Sequence, residues 1–273
     1  MTTFAALGDS MTLGVGDPAP DGGWHGWPAY LAQSLPAGRL VNLATAGART
    51  ADVERAQLPR ALELRPDVAS VIAGSNDTLR AGFDAARSQA ALAHVVGSLS
   101  ATGAVVLTMR LPDPGAMLGL PPALARPLAW RLQQVNAAMD QVAARFGTVH
   151  LDAAADVAAS DRRMWSADRL HPSERGHRYL AGRFHDQLAA RGHPLGPRPG
   201  AEPASPPPTR LDTAAWMATK GTAWVLRRST GLLPYLLFMA IRECLAGPGP
   251  QPRVAPPPDT QTPAGPLGAR QEP

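Results

Sequence analysis

The stretch Phe4-Ala5-Ala6-Leu7-Gly8-Asp9-Ser10-Met11-Thr12-Leu13-Gly14 joins a short apolar run to a Gly-Asp turn and a serine. Short apolar runs that end at glycine are typical of strands buried on both faces, as in a parallel sheet. In open α/β sheets, ligands bind beyond the carboxyl ends of the strands, which is where Ser10 falls. A serine there can act as a nucleophile and use its own backbone N–H to bind an oxyanion. Taken alone, the pattern also fits a solvated serine in a turn.

Four further short apolar runs follow along the chain, and longer stretches with helical spacing of apolar residues separate them. The runs that predict strands are Leu40 to Ala44, Val68 to Ala73, Ala104 to Met109 and Thr148 to Leu151. The stretches that predict helices are Trp27 to Leu35, Ala51 to Leu64, Asp84 to Ser100, Pro122 to Phe146 and Ser173 to Arg191. This alternation predicts an α/β fold, a three-layer α/β/α sandwich around a five-stranded parallel sheet.

The segment Asp168-Arg169-Leu170-His171-Pro172 brings a base and a carboxylate into one loop. A serine hydroxyl is a weak nucleophile at neutral pH and needs an adjacent base, which in turn needs a third group to orient it. Because Asp168 precedes His171 by three residues, a single loop can supply both. Ser173 is a natural N-cap for the helix that follows. For this segment alone, an exposed histidine beside an unrelated aspartate remains an equal alternative.

Two more segments follow predicted strands and carry groups that can donate hydrogen bonds. Gly74-Ser75-Asn76-Asp77 comes after the third strand, where the Asn76 amide can donate to an oxyanion. Gly47, in the segment 44–48 after the second strand, lets the backbone approach a ligand closely. Each of these segments by itself is more typical of an ordinary turn.

Together, the four segments resemble the blocks of the GDSL-type, or SGNH, hydrolase family. The matching residues occur in the family's order and cover about residues 3 to 190: Ser10, Gly47, Asn76, Asp168 and His171. The resemblance implies a flavodoxin-like SGNH-hydrolase sandwich. It also implies Ser10 as nucleophile, His171 as base and Asp168 as its orienting carboxylate. The oxyanion hole would consist of the Ser10 and Gly47 N–H groups and the Asn76 amide.

The resulting hypothesis is a serine esterase or lipase that hydrolyses carboxylic esters, with short-acyl or lipid esters as substrates, through an acyl-enzyme on Ser10. Two alternatives stay open. The same acyl-enzyme can transfer its acyl group to an alcohol or sugar, which product analysis with acceptors distinguishes. A non-catalytic binding protein is the other alternative, and absence of labelling by a fluorophosphonate probe would favour it.

Composition restricts the remaining function classes. The single cysteine, Cys244, excludes an intrachain disulfide and a cysteine-rich metal site. The net charge of +4 comes from scattered arginines with no basic run, so we expect no nucleic-acid partner. The chain contains no Walker loop, no Gly-x-Gly-x-x-Gly and no His-Glu-x-x-His, so no cofactor or metal is expected. The first residues lack the pattern of a signal peptide, and cytoplasmic is the default expectation.

Proline placement predicts the organisation of the chain beyond the hydrolase domain, residues 1–191. We expect a Pro-rich linker at 192–210, an amphipathic helical extension at 211–246 and a disordered tail at 247–273. The extension has two interpretations. Its apolar face could pack on the hydrolase domain or a second subunit, which we favour, or the helix could lie on an anionic membrane surface.

Three further features have structural and functional interpretations. His177 is expected to be structural rather than catalytic. Core packing is favoured for Trp24, His25 and Trp27 over a role in an acyl pocket. The segment Arg110 to Pro127 reads as a long apolar loop that either shapes the substrate pocket or is simply an irregular connection.

Overall fold

The computed structural model describes residues 1–80, 82–216 and 218–219. Five parallel strands form one sheet in the order β2-β1-β3-β4-β5. Their bounds are β1 Thr3–Gly8, β2 Arg39–Asn42, β3 Val68–Ile72, β4 Val105–Arg110 and β5 Val149–Asp152. The predicted α/β/α sandwich with a five-stranded parallel sheet is therefore confirmed, and the predicted strands differ from the observed ones by at most two residues at each end.

Helices cover both faces of the sheet and complete its burial. Their bounds are α1 Ser10–Leu13, α2 Gly26–Ala32, α3 Thr50–Asp52, α4 Leu58–Leu64, α5 Ser75–Thr78, α6 Ala85–Ala101, α7 Pro114–Leu118, α8 Pro122–Phe146, α9 Glu174–Ala190 and α10 Arg210–Trp216. A π-helical turn, Val53–Gln57, joins α3 to α4. Two 3₁₀ turns, Val157–Ser160 and Arg162–Met164, lie between β5 and α9.

Strand alternation divides the core into two layers. Phe4 and Ala6 of β1 face a cluster that includes side chains of α2 and α9. Ala5 and Leu7 face the opposite cluster, with side chains of α4 and α6. Helix α8 contributes to both clusters. Because every residue of β1 beyond Thr3 is buried, the position at which this strand ends, and with it the place of Ser10, is rigidly determined.

The strand order places β1 and β3 side by side at the point where the direction of winding reverses. In doubly wound sheets, the crevice at this switch point is where ligands bind. Ser10 follows β1 and Asn76 follows β3, so both residues lie at this crevice.

Two of the open interpretations have structural answers. Trp27 is fully buried and packs on Phe184, with ring centroids 5.0 Å apart, whereas Trp24 is 44% exposed. The segment 110–127 is not an irregular loop, because Pro114–Leu118 form α7 and the predicted helix α8 begins at Pro122. Pro114 at the start of α7 follows Asp113, whose side chain accepts a hydrogen bond from the Gly115 N–H, and this cap allows a helix in a proline-rich stretch.

The segment after α9 lies against the sandwich. The Gly196 N–H donates to the Ser34 carbonyl at 2.7 Å, and Arg198 forms an ion pair with Asp186 at 2.8 Å. The division into domain, linker, extension and tail stays a prediction. Apart from α10 and residues 218–219, the predicted extension and tail fall outside the described residues. No helix of the described part is long and apolar enough to cross a bilayer.

Candidate active site

The turn after β1 holds Ser10 at the first position of a short helix. Asp9 is the N-cap of α1, and its carboxylate accepts the Met11 N–H at 3.0 Å. Gly8, the residue before Asp9, forms hydrogen bonds with the Gln57 side chain through both its N–H and its carbonyl group. Oε1 of Gln57 accepts the Gly8 N–H at 2.8 Å, and Nε2 donates to the Gly8 carbonyl at 2.9 Å. This paired contact fixes the end of β1 two residues before the serine.

A continuous hydrogen-bond chain runs from Ser10 through His171 to Asp168. The Ser10 Oγ lies 2.8 Å from Nε2 of His171, and Nδ1 of His171 lies 2.6 Å from Oδ2 of Asp168. With Nδ1 protonated and donating to the carboxylate, Nε2 carries a lone pair and accepts the serine hydroxyl proton. The structure thus brings together three residues that are as much as 161 positions apart in sequence.

Asp168 is buried and accepts several hydrogen bonds. Burial by itself would raise the pKa of its carboxyl group, but the hydrogen bonds from His171 and Ser166 lower that pKa to about 2. Its Oδ1 accepts the Ser166 hydroxyl at 2.7 Å and the backbone N–H groups of Leu170 and His171 at 2.9 and 3.0 Å. Asp168 is therefore an anion across the physiological range and cannot rotate away from the histidine without losing these contacts.

The Asn76 amide lies on the other side of the serine turn. Its Nδ2 donates to Oδ2 of Asp9 at 3.2 Å and to the carbonyl of Ala48 at 3.1 Å. The neighbouring Asp77 accepts the backbone N–H and hydroxyl of Thr50 at 3.0 and 2.7 Å, which ties the turn after β3 to the start of α3. A substrate oxyanion would compete with Asp9 and Ala48 for one of the two amide protons.

Gly47 adopts a left-handed backbone conformation, with φ of 81°. This conformation is natural for glycine and strained for residues with a side chain. Gly47 lines the same cleft as Ser10 and Asn76, so its backbone can face a bound ligand without a side chain in the way. Four of the five residues selected from the sequence therefore line one cleft, and the fifth, Asp168, contacts it through His171.

This cleft has a volume of about 340 Å³ and mixed walls. The residues that line it are Asp9, Ser10, Met11, Val15, Ala46, Gly47, Ser75, Asn76, Leu79, Pro112, Pro114, Met117, Leu170 and His171. The polar groups gather around the serine, while Val15, Leu79 and Met117 provide apolar surface. Trp24, His25 and Trp27 do not belong to the walls. Such a cleft suits an ester with a polar reacting centre and an apolar arm.

Asp9 is a buried carboxyl group next to Ser10 in the chain. Burial raises its pKa to about 6, although hydrogen bonds from the Met11 N–H and Asn76 and the charge of His171 act in the opposite direction. Asp9 is 4% exposed. Its charge is thus maintained near neutral pH at a cost in stability, which is characteristic of groups at functional sites.

His177 connects two segments beneath the catalytic loop. Its Nδ1 accepts the Trp27 N–H at 3.2 Å, and its Nε2 donates to the Val15 carbonyl at 3.1 Å. Burial lowers its pKa to about 4, so the ring is neutral at pH 7. These contacts fit the structural role expected for it. In the described part of the chain, no group of three or more histidine, cysteine, aspartate or glutamate residues could hold a metal ion.

Comparison with known proteins relates this geometry to a family. The model of the GDSL-like lipase/acylhydrolase family matches residues 6–179, which contain every residue of the site. The chain belongs to this family. It is accordingly a carboxylic ester hydrolase, as the resemblance in its sequence implied. A search of curated protein sequences gave no match.

Solved structures of esterases share the fold of this GDSL-like hydrolase. A lipase/acylhydrolase from Enterococcus faecalis is 18% identical with a TM-score of 0.57, and the alignment covers 73% of this chain and 100% of that one. A psychrotrophic esterase from Pseudoalteromonas sp. is also 18% identical, with a TM-score of 0.53 and coverage of 70% and 98%. A variant of an acetyl xylan esterase from Geobacillus stearothermophilus is 21% identical, with a TM-score of 0.56 and coverage of 68% and 94%.

Several residues that support the site of this GDSL-like hydrolase were not predicted from the sequence. Gln57 fixes the end of the nucleophile strand, and Ser166 donates to the carboxylate that orients His171. Gln57 lies in the π-helical turn, a feature that often marks functional sites but has no signature in a single sequence. The spacing of Ser166, two residues before Asp168, offered a weak signal, since serine side chains often bond to nearby groups in loops.

Proposed function

We propose that this protein is a serine esterase that hydrolyses carboxylic esters through an acyl-enzyme on Ser10. The observation that carries the proposal is the hydrogen-bond chain Ser10–His171–Asp168, with contacts of 2.8 and 2.6 Å. This arrangement of nucleophile, base and orienting carboxylate recurs on unrelated folds for acyl transfer.

In the first half of the reaction, Ser10 Oγ attacks the ester carbonyl carbon while Nε2 of His171 takes the hydroxyl proton. The carbonyl oxygen becomes an oxyanion, which the N–H groups of Ser10 and Gly47 and the Asn76 amide bind. His171 then gives its proton to the departing alcohol, and the acyl group stays on Ser10. The Asp168 anion stabilises the imidazolium that forms between the two proton transfers.

In the second half, water enters in place of the alcohol. His171 takes a proton from the water, whose oxygen attacks the acyl carbon, and the same donors bind the second oxyanion. Collapse of this intermediate releases the carboxylic acid and returns the proton to Ser10 Oγ. An alcohol or sugar in place of water would give acyl transfer, so product analysis with such acceptors separates the two fates.

The cleft favours short acyl groups over long ones. Its volume of about 340 Å³ lies near the lower end of the range for small-molecule sites. Met117 of helix α7 adds apolar surface to the wall of this cleft. We expect p-nitrophenyl acetate and butyrate to be hydrolysed with higher kcat/KM than the decanoate and palmitate esters.

A fluorophosphonate probe tests the nucleophile directly, because it reacts covalently with activated serines. We expect labelling of the wild-type protein and none of Ser10→Ala. Ser205→Ala, a change at an exposed serine outside the cleft, is the matched control and should label like wild type. Equal labelling of Ser10→Ala and wild type would overturn the assignment of Ser10, and absence of labelling in a folded wild-type protein would overturn the mechanism.

A further inference from the structure

A second cavity, of about 400 Å³, adjoins the cleft that contains Ser10. Pro112 and Met117 belong to the walls of both, so the two cavities are neighbours. The second cavity has charged side chains in its wall. In the cleft with Ser10, the titratable side chains are those next to the serine, Asp9 and His171. Its wall contains Arg162 and Arg169 as well as Asp113 and Asp156.

The two carboxylates of this cavity already have partners. Asp156 forms an ion pair with Arg183 and accepts the Tyr179 hydroxyl at 2.8 Å. Asp113 caps helix α7 through the Gly115 N–H at 2.8 Å. Asp156 is thus neutralised by a cation outside the cavity wall, and Asp113 is the only wall carboxylate without a paired cation among the described residues.

The two arginines lack such neutralisation. Within the described residues, neither Arg162 nor Arg169 has a carboxylate at ion-pair distance, and Arg162 donates only to the Thr213 hydroxyl, at 2.6 Å. A guanidinium presents five N–H donors in a planar fork that matches carboxylate and phosphate oxygens. The cavity therefore has an excess of positive charge and a set of donors without acceptors.

The backbone of Arg169 supplies an independent observation. This residue lies between Asp168 and His171 with φ of 60°, a left-handed conformation in which glycine is favoured. A residue with a Cβ is disfavoured in this conformation. Strain of this kind at a functional site points to a role for the side chain that is held there. The strained position directs an arginine into the cavity beside the catalytic histidine.

We propose that the second cavity is an anion subsite, in which Arg169 and Arg162 bind a carboxylate or phosphate group of the ester whose carbonyl lies at Ser10. The proposal rests on the proposed esterase function and narrows its substrates to esters that carry a negative charge. The anionic group binds by charge-assisted hydrogen bonds to the two guanidinium groups. Met117 and Pro112, shared by both cavities, contact the linking part of the substrate.

Matched pairs of esters test the subsite on the full chain. For an anion on the acyl part, kcat/KM for the p-nitrophenyl monoester of glutaric acid is compared with that for p-nitrophenyl pentanoate. For an anion on the alcohol part, 4-(acetoxymethyl)benzoate is compared with benzyl acetate. We expect the anionic member of one pair to be preferred, and the preference to weaken with added salt. Phosphate-bearing counterparts in the preferred pair then distinguish carboxylate from phosphate.

Three variants assign the preference to the cavity. Arg169→Gly relieves the backbone strain and removes one charge, and Arg162→Gln removes the other. Each should reduce the anionic-to-neutral ratio of kcat/KM by about tenfold, the typical worth of a hydrogen bond to a charged group. Arg163→Gln is the matched control, since Arg163 is adjacent in sequence, pairs with Asp161 at 2.9 Å and lines a different cavity. It should leave the ratio unchanged.

The outcomes separate this proposal from the esterase mechanism. Hydrolysis of the neutral esters without preference for either anionic member would overturn the anion subsite and leave the mechanism intact. The same holds for a preference that Arg163→Gln reduces as much as the two cavity variants, because it would then arise from overall charge. Absence of hydrolysis of all four esters by folded protein would overturn both proposals.

Discussion

The Oδ2 atom of Asp168 lies 2.6 Å from Nδ1 of His171, while its Oδ1 accepts a serine hydroxyl and two backbone N–H groups. The carboxylate is thus held from its far side while it faces the histidine. The burial that would otherwise neutralise it is offset by these hydrogen bonds. A fixed anion at this point selects the tautomer in which Nε2 can accept the proton of Ser10.

Asp168→Asn should keep the shape of the loop and lose most of the activity. An amide N–H facing Nδ1 favours the histidine tautomer with the proton on Nε2, which cannot accept the serine proton. We expect kcat for p-nitrophenyl acetate to fall by about 10³–10⁴-fold. Asp161→Asn, an N-cap change on the preceding turn, is the control and should change kcat by less than about twofold, because asparagine caps equally well. A loss below tenfold for Asp168→Asn would contradict the orienting role.

Asn76→Ala should lower kcat much more than it raises KM. In the proposed mechanism the amide donates to the oxyanion, which exists only in the transition state and the intermediates, so its loss should affect the chemical steps rather than ground-state binding. Removal of one such donor typically lowers kcat by about 10²–10³-fold. Steady-state kinetics with p-nitrophenyl acetate, together with circular dichroism to verify folding, make the comparison. A change confined to KM would show that Asn76 binds substrate instead.

Asp9→Asn should separate stability from activity. Since burial raises the pKa of Asp9 from 3.8 to about 6, its charge at pH 7 opposes folding, and removal of that charge should raise the free energy of unfolding by about 2–3 kcal/mol. Asparagine retains the cap on the Met11 N–H. Activity should fall, because the new amide cannot accept from Asn76 while it caps the helix with its only oxygen.

The gain in unfolding free energy of Asp9→Asn should decrease as the pH falls. In the wild type, Asp9 takes up its proton in the folded state as the pH falls through about 6, and in the unfolded state only near 3.8. The stability advantage of Asp9→Asn over wild type should therefore shrink between pH 6 and 4. Urea unfolding of both proteins at a series of pH values measures it, and a pH-independent difference would contradict the burial of an ionised Asp9.

Gly16→Ala should disturb the loop that holds His171 through a contact with Pro172. A Cβ at Gly16, where φ is 104°, would lie 2.1 Å from the carbonyl oxygen of Pro172, the neighbour of His171. The loop must shift, and displacements of about 1 Å at a catalytic group can lower rates by about 10²-fold. Gly22→Ala is the control, since Gly22 also has a positive φ of 85° but has open space around its Cβ position. Both variants should lose stability, and only Gly16→Ala should lose kcat.

Most of the sheet could be predicted from local pattern, whereas the five candidate site residues were identified together through the family resemblance. Val68–Ile72 is a continuous apolar run, and such runs identify buried parallel strands. Ser10 and Asn76 follow runs of this kind, so topology places them together at the switch point. The convergence of Asp168 and His171 on Ser10 was implied by the resemblance, because the loop alone left an exposed histidine as an equal alternative.

The supporting contacts could not be predicted, because they join segments distant in sequence through ordinary polar residues. Gln57 reaches Gly8 across 49 positions, and nothing in its neighbourhood marks it as different from a surface glutamine. Helix α7 was also not predicted, because the segment that contains it is rich in proline and glycine, which have low helix propensity. The local cap from Asp113, followed by Pro114 at the first helical position, offsets that propensity and was a start signal that the sequence-based prediction did not use.

His177 should make the stability of the wild-type protein decrease as the pH falls below about 6.5. Its pKa is lowered by burial to about 4, so between these values the unfolded chain binds a proton that the folded chain does not. His177→Gln removes this titration but also weakens the contacts with Trp27 and Val15, so it should be less stable than wild type at pH 7.5.

The difference in unfolding free energy between wild type and His177→Gln should fall by about 2–3 kcal/mol from pH 7.5 to pH 4.5. Comparison of the two proteins at each pH cancels the opposite trend of Asp9, which both retain. Urea unfolding gives the free energies, with equal slopes as the check that both unfold in the same way. A difference that stays constant over this range would mean that His177 has the same pKa in the folded and unfolded chains. The assignment of a buried, neutral imidazole between Val15 and Trp27 would then be wrong.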